Sequence, residues 1–299
     1  MFSFIVLAIL VHASHMQCQN LLHRNLNIII LAGQSNMAGR GGVTYDISTG
    51  TWKWDGVVPT QCQPNPSIFR LSADLAWVPA REPIHADIDA RMTDGIGPGM
   101  SFANAVLTKD FNFGPIGLVP CAVGGTSINQ WQKGELLYEQ LVKRAQMAQQ
   151  SGVYRAILWY QGEADTLSQE DADLYEARLK TFFNDLRSDL NAPTLPIFQV
   201  ALASGEGPYI EEVREGQLNI SLQNVKCVDA KGLPLEPDRL HLTTQAQVRL
   251  GKMLADAYLG FMPSSSTTNN APSTRFSTSV PRVLIIAQFF RGLWMILTF

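Results

Sequence analysis

Ser35 sits in residues 31–37 (LAGQSNM), where an apolar run ends in a glycine turn and a helix can begin. A serine there has an exposed hydroxyl, backbone N–H groups close by and the positive end of a helix dipole, which suits attack on a carbonyl. The same residue types also serve as plain helix N-caps. His241 follows Asp238 by three residues in 237–244 (PDRLHLTT). A carboxylate at that spacing can accept from one ring nitrogen, fix the tautomer and leave the other nitrogen as a base. Of the five histidines, His12, His15 and His23 lie near the N-terminus, so His85 and His241 remain as bases, and only His241 has an acid at that spacing.

Two further stretches add donors. Residues 121–127 (CAVGGTS) follow an apolar run with the glycine pair Gly124 and Gly125, where a backbone N–H can approach a ligand with no side chain in the way. An ordinary tight turn has the same composition. Residues 158–165 (LWYQGEAD) end a strongly apolar run with Gln161, Glu163 and Asp165. The Gln161 amide can donate to an oxyanion, whereas Glu163 and Asp165 at a capped helix start would face water. Serine, donors and an Asp–His pair, each after a strand, together point to acyl transfer.

The elements that must position these residues alternate apolar β-branched runs with amphipathic segments, the pattern of an α/β fold. The expectation is a three-layer α/β/α sandwich around a mainly parallel five-stranded sheet, with strands near 27–31, 116–121, 156–160, 196–202 and 225–228. Leu137, Leu141, Ala145 and Ala148 mark one helix; Leu179, Phe182, Leu186 and Leu190 mark another. Thr243 or Thr244 caps a last helix running to about Tyr258. Residues 43–98, rich in Pro, Gly, Trp and Asp, read as a long decorated loop, a feature usually tied to function. At its end Gly95, Gly97 and Gly99 form a turn before a helix near Met100; no strand precedes them and Pro98 interrupts any dinucleotide fingerprint. Trp131 is either a sugar-stacking platform or core.

The chain has 299 residues, enough for one large domain, here 24–262. A net charge of -3 with scattered Lys and Arg gives no footprint for nucleic acid. Residues 1–23 open on an apolar run of signal-peptide length without the usual basic start, read as a cleaved signal; the rival is an uncleaved anchor or a buried helix. The sequon at Asn219 agrees with export to the extracellular space or cell wall. Cys18, Cys62, Cys121 and Cys227 show no metal-ligand spacing, and their pairing is open. Residues 263–281 form a Ser/Thr/Pro/Asn-rich linker. Residues 282–299 form an apolar tail broken by Arg291, either an anchor signal or a non-functional extension, and the membrane is a partner only in the first case.

The blocks GQSNMAGRG, GGTS, WYQGEAD and DRLHLT, in that order, resemble the sialate O-acetylesterase branch of the SGNH (GDSL-like) hydrolases, and within it the carbohydrate esterases grouped with acetyl xylan esterases. The resemblance covers residues 25 to 261 or so. It implies a monomeric, cofactor-free serine esterase removing acetyl groups from carbohydrate, with Ser35 as nucleophile and His241 as base. The oxyanion donors it implies are the N–H of Ser35, that of Gly125 or else Gly124, and the Gln161 amide. Asp238 is the favoured acid, but in some relatives the glutamate of the third block has been proposed to orient the histidine, so Glu163 competes. Leu242, where the wider superfamily has proline, and Gln34, where it has aspartate, depart from the broad pattern. A non-catalytic carbohydrate-binding relative and a general short-chain carboxylesterase are the alternatives.

Overall fold

The computed structural model describes residues 25–262; the expected signal, Cys18, the linker and the apolar tail lie outside them. The chain runs through β1 (Leu26–Gly33), α1 (Ser35–Ala38), β2 (Val43–Asp46), β3 (Thr51–Trp54), β4 (Ile68–Leu71), β5 (Trp77–Pro79), α2 (Pro98–Lys109) and β6 (Ile116–Pro120). It continues with α3 (Leu136–Gln149), β7 (Gly152–Tyr160), α4 (Gln169–Asp189), β8 (Ile197–Ala201), α5 (Ile210–Leu218), β9 (Val225–Asp229) and α6 (Thr244–Phe261).

The main sheet has the order β5-β4-β6-β1-β7-β8-β9. Its centre, β1, is buried at every residue, as expected of an Ile/Leu run paired on both edges. Parallel partners flank it, β6 in the register Ile29↔Leu118 and β7 in the register Gly33↔Tyr160. From β1 the chain lays down β4, β5 and β6 on one side and then crosses to β7 on the other. That reversal opens a crevice beyond the carboxyl end of β1, where ligands bind in sheets of this kind. Helix α3 packs on β1, β6 and β7, while α2 packs on α6.

The sheet has seven strands rather than the expected five, and the addition comes from the segment read as loop. Residues 68–71 pair in parallel with β6, and β5 closes that edge antiparallel to β4. Strands of three or four residues are too short for a periodic signal, and Pro79 suits an edge position, where a missing N–H costs no ladder bond. The same segment carries the separate β2–β3 hairpin.

Other boundaries fall close to expectation. Helix α2 begins at Pro98, two residues before Met100, with Gly97 as its N-cap. Thr243 caps α6 by accepting from the Ala246 N–H. Trp131 is core: it is fully buried, sits edge-on to Trp159 at 5.3 Å and donates its indole N–H to Thr126, so no sugar reaches its face. Cys62 and Cys121 are buried and Cys227 half-buried, all three as free thiols. Asn219 is exposed at the end of α5.

Candidate active site

Ser35 opens α1 directly beyond the carboxyl end of β1 and is 4% exposed. Its approach to β7 is set by Gly33, whose φ of 129° carries the chain past the Tyr160 carbonyl; the next N–H, from Gln34, donates to that carbonyl at 2.8 Å. His241 Nε2 lies 3.0 Å from Ser35 Oγ, and His241 Nδ1 lies 2.6 Å from Asp238 Oδ2. With Nδ1 protonated, the ring donates to Asp238 and leaves Nε2 to accept from the serine hydroxyl. The loop that achieves this is folded by Asp238 itself. Its Oδ1 accepts the N–H groups of Leu240 at 2.9 Å and His241 at 3.0 Å, while Arg239 between them takes a left-handed φ of 60°. Burial alone would raise the Asp238 carboxyl, but these N–H donors and the histidine ring hold it below its usual range.

Asn36 locks this loop to the serine helix. Its Oδ1 accepts from Leu242 N–H at 2.9 Å, its Nδ2 donates to Leu240 O at 3.3 Å and to Glu163 Oε1 at 2.7 Å, and its carbonyl accepts from Gln247 at 3.0 Å. This accounts for Leu242 where proline would be expected: the bond to Asn36 needs a backbone N–H, and the buried leucine side chain fills the core. Gln34 is likewise structural, its Oε1 facing the N–H groups of Gly162 at 3.2 Å and Ala164 at 3.4 Å.

Glu163, the competing acid, is fully buried beside Asn36, and no bond joins it to His241. Burial raises its carboxyl from 4.5 to about 7, partly opposed by the Asn36 bond. A carboxyl whose pKa rises on folding stabilises the fold fully below its unfolded value of 4.5, and this contribution is lost as pH climbs through about 7. The rise corresponds to about 3 kcal/mol, or about 5–10 °C in Tm. Glu163→Gln should therefore gain on the unaltered chain by that amount between pH 5 and pH 8 in thermal melts. Parallel melting curves across this range would contradict the assignment.

The donors divide unequally. Gly124 N–H is taken by Asp89 Oδ2 at 3.1 Å. Gly125 adopts a left-handed φ of 68° with open space around its α-carbon, and among the described residues neither its N–H nor that of Ser35 meets a protein acceptor. The Gln161 amide is otherwise occupied. It is fully buried, and its Nε2 donates to Asp165 Oδ2 at 2.6 Å and Thr126 O at 2.8 Å, with Gln34 Oε1 a longer third acceptor at 3.3 Å. The expected oxyanion donor is thus a brace between the loops after β6 and β7, because two strong acceptors claim both its hydrogens. Asp165 extends that brace by accepting from Ile128 N–H at 3.0 Å. His85, the other candidate base, is buried with neither ring nitrogen side-chain bonded, and burial lowers it to about 3.

Arg40 lies in the first block, yet no spacing marks it as a functional residue. Its buried guanidinium pairs with both Asp89 and Asp94 from the long segment. Two clefts open at the site, one beside His241 and the other beside the glycine pair. One, of about 350 Å³, is bounded by His241, Asp238, Arg40, Trp52, Arg91 and Met92. The other, of about 570 Å³, is bounded by Gly124, Gly125, Thr126, Leu136 and again Arg91 and Met92. Among the described residues no cluster of His, Cys, Asp and Glu could hold a metal ion.

Residues 25–260 match the family model of carbohydrate esterases described as sialic acid-specific acetylesterases. A probable carbohydrate esterase of Arabidopsis thaliana is 56% identical over 234 residues, which cover 78% of this chain and 90% of that one. The crystal structure of an Arabidopsis thaliana protein at 55% identity superposes with a TM-score of 0.77, covering 79% of this chain and 99% of that one. NanS, at 18% identity and a TM-score of 0.62 over 79% of this chain and 97% of its own, shares the fold. The chain belongs to the sialic acid-specific acetylesterase family of carbohydrate esterases.

Proposed function

We propose that the chain is a serine esterase that releases acetate from O-acetylated polysaccharide, such as acetylated xylan, through an acyl-enzyme. The observation that carries this reading is the continuous relay from Asp238 Oδ2 to His241 Nδ1 and from His241 Nε2 to Ser35 Oγ, at 2.6 and 3.0 Å. His241 takes the hydroxyl proton as Ser35 Oγ attacks the acetyl carbonyl, and Asp238 stabilises the imidazolium that forms. The carbonyl oxygen becomes an oxyanion facing the free N–H groups of Ser35 and Gly125. Collapse of the tetrahedral species breaks the ester C–O bond, and His241 returns its proton to the departing sugar oxygen. Water then enters, loses a proton to His241 and attacks the acetyl-serine; acetate leaves and Ser35 recovers its proton.

The test is acetate release from acetylated xylan, acetylated pectin and O-acetyl sialic acid, with p-nitrophenyl acetate and butyrate beside them. The expected result is release from a polysaccharide and a clear preference for acetate over butyrate. Release rising with acyl length would favour a general esterase, and inertness toward every ester would end the catalytic reading.

A further inference from the structure

Asp89 and Asp94 anchor on the same buried guanidinium of Arg40, and Asp89 also receives the Gly124 N–H. Residues 90–93 therefore form a short arch with both feet clamped, standing between the two clefts. Thr93 Oγ1 ties the arch to the β2–β3 hairpin through Trp52 O at 3.3 Å. The arch presents Arg91 and Met92, both exposed, to both clefts. Near the site, Arg40 is offset by two carboxylates and Arg144 is spent on the carbonyls of Leu71, Ser72 and Pro120. Among the described residues Arg91 has no ion pair or hydrogen bond.

The clefts differ in what they favour. The larger one places Glu135 on its lining, and that carboxylate opposes an anion there. The smaller one has Arg40, Arg91 and Asp238 as its only charged lining residues, and Asp238 is committed to His241. Its walls also include Val43, Met92 and half-exposed Trp52, which leans on Tyr45 at 5.3 Å. At about 350 Å³ it lies in the range that holds a small ligand, far more than an acetyl methyl needs. An aromatic face beside an unpaired guanidinium carried on an arch anchored at both ends matches a sugar ring that carries a carboxylate, since arginine binds planar carboxylates through two parallel N–H bonds.

We propose that Arg91 and Trp52 form a subsite for a uronate-type sugar adjoining the acetylated residue, so that the substrate is an acidic acetylated polysaccharide. This rests on the esterase reading for its biological sense but not for its test. The probe is a non-acetylated galacturonate oligomer, compared with its methyl-esterified form, in which the charge is capped. Binding of each is measured by calorimetry at low salt to the unaltered chain and to Arg91→Gln, Arg91→Lys and Trp52→Ala. The free acid should bind about tenfold tighter than the capped form to the unaltered chain, and that ratio should fall to about one in Arg91→Gln. Arg91→Lys should keep an intermediate ratio, and Trp52→Ala should weaken both ligands. Equal binding of the acid and the capped form to the unaltered chain, or a preference that survives Arg91→Gln, overturns the proposal. Because neither probe carries an acetyl group and binding is what is read, the result stands whether or not acetate release is found, and failure of the esterase reading shows separately in the acetate assay.

Discussion

Ser35→Ala is expected to lower kcat for acetyl ester hydrolysis by about 10⁶-fold, and Asp238→Asn by about 10⁴-fold, both with little change in KM. The first removes the atom that attacks. The second keeps the shape of the loop acid but weakens its hold on the protonated Nδ1 and permits the wrong tautomer, so that Nε2 no longer accepts from Ser35. Glu163→Gln is the comparison that gives the series its force, because Glu163 reaches the histidine loop only through Asn36, which bonds Leu240 and Leu242. Its cost in kcat should be far smaller than that of Asp238→Asn. Should the two costs be equal, the acid that orients His241 would have to be reassigned. Single-turnover kinetics with p-nitrophenyl acetate measures all three without dependence on the sugar.

Gly33→Ala should cost about 3–6 kcal/mol of stability, combining steric overlap with a strained backbone. A Cβ there would stand 2.0 Å from the Tyr160 carbonyl oxygen, and φ is 129°. Neither β1 nor β7 can retreat, since both lie inside the sheet with partners on each side. Thermal melting should shift down by about 10–20 °C, with soluble yield falling in step. A variant that melts within a degree or two of the unaltered chain would mean that the turn before Ser35 accommodates a side chain, and that its glycine is not what fixes the approach to β7.

The meeting of Ser35, Asp238 and His241 was legible because an open parallel sheet brings the loops at its strand ends together, and apolar runs mark those ends plainly. Asp238 and His241 needed only local spacing, since one turn of loop brings them together. What the sequence hid depends on contacts across the chain. Asn36 looks like one more residue of a helix start, yet it fastens a loop more than 200 positions away. The partners of Arg40 lie in a segment without periodicity, so nothing marked Asp89 or Asp94. Gln161 shows the converse limit: its residue type suited an oxyanion donor, but where its hydrogens point is decided by Asp165 and Thr126. Trp131 likewise had the right ring for a sugar, in a place that packing had already filled.

The clamp of two carboxylates on one guanidinium has a consequence for how this enzyme can diversify. Asp89 and Asp94 are tied to the fold through Arg40, whereas Ala90, Arg91 and Met92 between them are exposed, the last two lining the clefts. New side chains can be tried on that short span without moving the serine, the histidine or the glycine turn. Selectivity and chemistry are thereby mutable on separate schedules, and a library confined to three codons would sample the one without gambling the other.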